Sequence, residues 1–175
     1  MIYAKIDRSK KMIITYNGTE SFKISQGNLT LGVNPKSKFT SDITLFTKKR
    51  GEVAEKSGFI IDGPGEYEIK DIFVKGFPDK TFLISMEGIK LCFLGSGEKQ
   101  EEVEDVDILF VPPDKYKTAV ALEPAVMIPM DYDKSSLNQL LKEAGEKDVS
   151  PIDKFVVKKK DLEGKEGEVV VLKEE

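Results

Sequence analysis

The chain has 175 residues, 33% of them charged and 39% hydrophobic, with a formal net charge of -4, as expected for one soluble domain that buries its own core. That balance gives no support to nucleic-acid binding or to adsorption on anionic membrane, and no apolar stretch approaches the roughly 20 residues a spanning helix needs. Histidine is absent and cysteine occurs once, at Cys92. No Cys/His zinc site, Ser-His-Asp triad or Cys-His pair can therefore be assembled within one chain.

The opening "MIYAKIDRSKK" lacks the apolar run of a signal peptide, and the single cysteine suits a reducing cytoplasm. Alternation of apolar and polar residues predicts strands in "MIYAKI" and "MIITY", with a polar turn between them. "SFKIS" and "LTLGV" flank "QGN", a hairpin signal, and "SDITLF" is a short apolar run after a loop. "GFIIDGPGEYEIKDIFVKGFP" holds two or three short strands broken by a Gly-Pro-Gly turn. "KTFLISMEGIKLCFLG" predicts a hairpin turning at Glu87-Gly88. "VDILFVPP" and "AVMIPM" are continuous apolar runs, as in strands covered on both faces.

Helices are few. "DKSSLNQLLKEAG" has a Ser or Asp cap, then Leu137, Leu140, Leu141 and Ala144 on one face and Gly145 as a stop. "EKQEEVED" and "DKYKTAVALE" are weaker helical segments. The tail from Asp153 reads as strand, polar turn, strand. Phe59, Phe73, Phe77, Phe82, Phe93 and Phe110 all fall on strands and are expected in the core. Cys92, between apolar neighbours, reads as a buried thiol rather than a nucleophile. "GPGEY" lacks the Gly-Lys-Ser/Thr ending of a phosphate loop.

The order of "LTLGVNP", "SDITLFTKKRGEV", "GPGEYEIKDIFVKG", "LCFLGSG", "VDILFVP" and "LEPAVMIPMDY" resembles the metallo-β-lactamase-fold hydrolases, in particular their small Zn-dependent branch. The resemblance spans roughly residues 12 to 172. It implies an α/β fold: one αββα sandwich domain over residues 1–175, strand-rich with few, short helices. Residues 1–10 would add an edge strand or hairpin. It also implies a metal site at one edge of the sheets.

Matched to the family motifs, the ligand positions fall on residues that are not histidine. The Gly-His turn becomes Gly18-Thr19. The three histidines of His-x-His-x-Asp-His fall on Lys48, Arg50 and Val53, and its Asp on Glu52. The bridging Asp falls on Ser96, and the last histidine on Asp131. A dication about 4 Å from a Lys or Arg charge meets roughly 8 kcal/mol of repulsion at an effective dielectric near 20. Glu52 and Asp131 alone supply too few ligands for zinc.

Three uses of this edge follow. The leading expectation is a cytoplasmic, non-catalytic binding or assembly module that holds no metal or cofactor. Its partner would be a second copy, another protein or a small anion. The second is a metal-dependent hydrolase with oxygen ligands, Asp131 and Glu52 central, acting on a phosphoester, with Asp133, Asp62 and Glu66 as further carboxylates for Mg or Ca. The third is an anion sensor built from Lys48, Lys49 and Arg50, near Thr19 and Ser96. Set against these, Asp131 and Asp133 suit a helix N-terminus. Lys48 to Arg50 also suit a solvated turn, with Lys48 or Arg50 paired to Glu52 or Asp131.

Overall fold

A computed structural model describes residues 9–36, 39–51, 57–97 and 102–175. The predicted strand at residues 1–6, Glu52 and Val53 lie outside the described residues.

β1 (Met12–Tyr16), β2 (Phe22–Gln26), β3 (Leu29–Val33), β4 (Ile43–Leu45), β5 (Phe59–Ile61) and β12 (Phe155–Val157) form one sheet in the order β12-β1-β2-β3-β4-β5. β6 (Gly65–Ile69), β7 (Ile72–Gly76), β8 (Phe82–Met86), β9 (Ile89–Phe93), β10 (Ile108–Val111), β11 (Val126–Pro129) and β13 (Glu168–Val169) form the other, ordered β13-β11-β10-β9-β8-β7-β6. Both sheets are mixed. β3, β4 and β5 run parallel, as do β9, β10, β11 and β13, while the hairpins are antiparallel. This is the strand-rich α/β sandwich the sequence implied.

Two-residue periodicity explains the layers. In β10, Ile108 and Phe110 face the first sheet, while Leu109 and Val111 join a second apolar cluster on the outer face. β9 and β11 divide the same way, Leu91, Phe93, Val126 and Ile128 inward and Cys92 and Met127 outward. That is why these segments read as unbroken apolar runs. The outer cluster is covered by α1 (Tyr116–Ala121) and α2 (Lys134–Glu143), through Ala119 and Leu140. Between the sheets, Phe22 meets Phe110 edge-on at 4.8 Å, and Phe110 stacks on Phe93 at 4.0 Å.

Local chemistry sets the ends of these elements. Asp133 caps α2, accepting the Ser136 backbone N–H at 2.7 Å, and Gly145 leaves the helix with φ +73. The hairpin turn at Glu87-Gly88 has both residues left-handed, at φ 48 and 81. The 3-10 turn Pro113–Lys115 leads into α1, so "DKYKTAVALE" is helical. Of "EKQEEVED", residues 102–105 are described and are not helical. Val103 is buried there as an irregular plug, which needs no helical periodicity. Phe59 and Phe73 correct the core expectation: they are exposed, 48% and 51%. Phe59 lies on an edge strand and Phe73 on the solvent side of β7, so strand membership alone does not bury them.

Candidate functional site

At the carboxyl ends of β4, β9, β10 and β11 the two sheets leave a cavity of about 690 Å³, the usual side for a site in α/β sheets. Six segments frame it: the β1–β2 loop, Thr47 to Lys49 after β4, Lys80 before β8, Leu94 to Ser96 after β9, Pro112 to Lys115 after β10, and Asp131 after β11.

The β1–β2 loop turns at Gly18, whose φ of +84 is a conformation that disfavours a residue with a β-carbon. Thr19 follows with φ 53, and its carbonyl accepts the Tyr16 hydroxyl at 3.0 Å and the Asp131 backbone N–H at 2.7 Å. Burial raises the Tyr16 phenol above its ordinary range, with Tyr132 and Glu174 adding to the effect. Tyr16 therefore stays a neutral donor.

Asn34 ties this loop to the next one. Its amide nitrogen donates to the Glu20 carbonyl at 3.1 Å and to Thr47 Oγ1 at 2.8 Å, and its Oδ1 accepts the Thr47 backbone N–H at 3.0 Å. Lys48 follows Thr47 and is thereby set over Glu20. Its Nζ lies 3.0 Å from Glu20 Oε2 and 3.5 Å from Asp131 Oδ2. The hydrogen bond to Glu20 raises the Lys48 pKa against the opposing effect of partial burial, and the Glu20 and Asp131 charges add to it. Glu20 Oε2 is buried, and its charge is met by the Lys48 ammonium at 3.0 Å.

Ser96 sits on a loop pressed against Asp79 to Thr81. Gly95 donates to Thr81 Oγ1 at 3.0 Å, and a β-carbon there would collide with the Asp79 and Thr81 backbone. The Ser96 backbone N–H and hydroxyl both donate to the Asp79 carbonyl, at 3.0 and 3.3 Å.

The fold thus brings Lys48, Ser96 and Asp131 to one cavity, with Thr19 beside it in a smaller pocket that shares Glu20, Lys48 and Lys49. Arg50 is not with them. It lies 3.7 Å from Asp62, so the expected trio of Lys48, Lys49 and Arg50 is divided. The expected oxygen cluster is divided as well. Asp62 faces Arg50, Glu66 faces Lys75 at 3.5 Å, and Asp133 caps α2. Asp131 lies ahead of that helix and faces Lys48 instead. Glu20, Asn34, Lys80 and Lys115 escaped the sequence reading. Glu20 was hidden because nothing local marks it as Lys48's partner, and Asn34 because "NP" reads only as a turn. The Asn-Pro pair was the available signal for a side chain binding backbone across the turn.

No family model matches the sequence, and no curated protein does. Among solved structures, a Thermotoga maritima protein classed with the Zn-dependent hydrolases of the metallo-β-lactamase superfamily superposes with a TM-score of 0.77 at 25% identity, over 92% of this chain and 98% of its own. This chain has the metallo-β-lactamase fold. Igni18, a metallo hydrolase of Ignicoccus hospitalis, shares the fold with a TM-score of 0.59 at 14% identity, over 85% of this chain and 99% of that one. The metallo-β-lactamase fold protein YhfI of Bacillus subtilis gives 0.58 at 10%, over 94% and 97%. No helix among the described residues is long and apolar enough to cross a membrane.

The Thermotoga maritima neighbour is classed as Zn-dependent, and the side chains at this edge can be tested against zinc. Zinc takes three or four N, S or O ligands, with imidazole and thiolate preferred. The edge offers the carboxylates of Glu20 and Asp131 with an ammonium between them, and Ser96 is committed to Asp79. No group of three or more His, Cys, Asp or Glu side chains suited to a metal occurs among the described residues. This donor set does not fit zinc.

Proposed function

We propose that this chain is a non-catalytic metallo-β-lactamase-fold protein, a cytoplasmic binding or assembly module whose ligand-binding edge works without zinc. One observation carries the reading: the Lys48 ammonium stands between Glu20 and Asp131, 3.0 and 3.5 Å away, where it supplies the positive charge that two facing carboxylates require. Histidine is missing from all 175 residues, so no rearrangement of the edge supplies an imidazole.

Elemental analysis of protein purified without chelator tests this directly. Metal below about a tenth of an equivalent, with no turnover of ester, lactam or phosphodiester, is the expected result. Near-stoichiometric zinc or magnesium that is required for turnover would replace this reading with that of an oxygen-ligand hydrolase. Assembly has its own check. Light scattering on full-length and Δ1–10 protein should show a loss of self-association in the truncation, and two identical monomers would remove residues 1–10 as a pairing edge.

A further inference from the structure

Lys48 is occupied by Glu20 and Asp131, but three more lysines line the same cavity: Lys49, Lys80 and Lys115. Two of them are bonded to carbonyls and, among the described residues, to no carboxylate. Lys115 Nζ donates to the Ser96 carbonyl at 2.8 Å, and Lys80 Nζ to the Asp62 carbonyl at 3.3 Å. A carbonyl takes one of the three N–H groups and leaves the full charge with two further donors. No ion pair joins Lys49 to a described carboxylate. Against these three charges the cavity sets Asp114, leaving +2, while Glu20, Lys48 and Asp131 together contribute -1. Counted over its described lining residues, the cavity is therefore positive in a chain whose net charge is -4.

Backbone geometry marks the same place. Lys80 has φ 69, a conformation that disfavours a residue bearing a β-carbon, and the turn from Phe77 to Thr81 holds it there through hydrogen bonds of 2.9 and 3.1 Å. Leu94 and Pro112 add an apolar stretch of wall. At about 690 Å³ the space is of small-molecule size and larger than an inorganic anion needs.

We infer that this cavity binds a phosphate monoester, with Lys49, Lys80 and Lys115 on the phosphate and Leu94 and Pro112 against its organic part. The inference rests on the reading of this edge as a metal-free binding site, and it moves the anion site from Lys48 and Arg50 to lysines contributed by three separate loops. A dianionic phosphate matches three point charges better than a monocarboxylate does.

Calorimetry and thermal shift on the full chain would use ribose 5-phosphate, AMP and inorganic phosphate at matched ionic strength, with ribose as the uncharged control. A phosphate ester should bind and raise Tm while ribose does neither. Lys49→Gln/Lys115→Gln should weaken binding by about tenfold or more, and Lys142→Gln, on the outer helix α2, should leave it unchanged. Ligand-free Tm values establish that each variant folds. Absence of binding by any probe at about 10 mM, or equal weakening by Lys142→Gln, overturns the inference. Zinc content measured on the same sample separates the two claims. Stoichiometric zinc removes the metal-free reading but leaves the lysine dependence legible, whereas phosphate binding lost from a zinc-free chain removes only this inference.

Discussion

Asp131 donates its backbone N–H to the Thr19 carbonyl at 2.7 Å, and both residues are left-handed, at φ 51 and 53. One belongs to the loop of the first sheet and the other to the strand end of the second, so this bond closes the sandwich at the cavity. The conformation suits Asp, which tolerates the left-handed region, but penalises the β-branched Thr19. Thr19 is exposed, and it is the carbonyl rather than the side chain that receives the bonds from Tyr16 and Asp131. Thr19→Gly should therefore stabilise the fold by about 0.5–1 kcal/mol by removing backbone strain. Urea denaturation would measure it, and a loss of 1 kcal/mol or more would mean that the Thr19 side chain itself holds the loop.

A second clamp joins the sheets away from the cavity. Asp42, just before β4, accepts Lys70 Nζ at 2.6 Å and the Thr30 backbone N–H at 2.8 Å, while Lys70 sits in the β6–β7 turn of the other sheet. Burial pushes the Asp42 pKa up, but the bonds from Lys70 and Thr30 outweigh it, so the folded value lies below the ordinary 3.8. A depressed carboxylate gives stability that is complete above its unfolded value and is lost as pH falls through its folded one. Asp42→Asn should cost about 1–2 kcal/mol at neutral pH, a modest figure because Lys70 is largely solvated. The difference from the parent should vanish in strong acid. A gap that persists below about pH 2 would show that the charge is not responsible.

The inter-sheet aromatic group sets a larger scale. Phe110 is fully buried, stacks on Phe93 with an interplanar angle of 6° and receives Phe22 edge-on. Phe110→Ala should lose about 3–5 kcal/mol in chemical denaturation, since it empties space that both sheets share. A loss under 1.5 kcal/mol would indicate that Phe22 collapses into the gap.

Cys92 lies on the outer face of β9, fully buried, and its thiol is pushed up to about 12 by burial, with the Asp79 charge adding to the shift. A thiol reagent at pH 8 should leave native protein unlabelled and modify one thiol after guanidinium unfolding. Rapid labelling of the native chain would contradict the burial of Cys92 in the outer apolar cluster.

Most strands were legible because the period of two is local: "MIITY" and "FLISM" carry it in five residues each. α2 was legible from its cap, apolar stripe and terminal glycine. The candidate site was legible only in part, because its partnerships are long-range. Nothing near Lys48 points to Glu20, twenty-eight positions earlier by their numbers; the Asn34 side chain bridging both loops, and Asp131 across from them, bring them together. Phe59 was misplaced for a related reason. Its exposure follows from the edge position of β5, which strand order determines and hydropathy does not.

Lys48 carries the decisive substitution. In Lys48→Ala the buried Glu20 Oε2 loses its cation, while Asp131 keeps its backbone bond to Thr19 and remains close by. Because solvent reaches Lys48, the expected loss is about 1 kcal/mol. Its raised pKa fixes the pH dependence: the contribution is complete below the ordinary lysine value of 10.5 and fades only as pH climbs past the higher folded one. Parent and variant should therefore differ by a constant amount between about pH 6 and 9. A small cation can then enter where the ammonium stood, so manganese or magnesium should raise the Tm of Lys48→Ala but not that of the parent. Adding Asp131→Asn should abolish that response. Equal shifts in parent and variant would mean that the ions bind elsewhere, and that Lys48 is not the internal counter-charge of this edge.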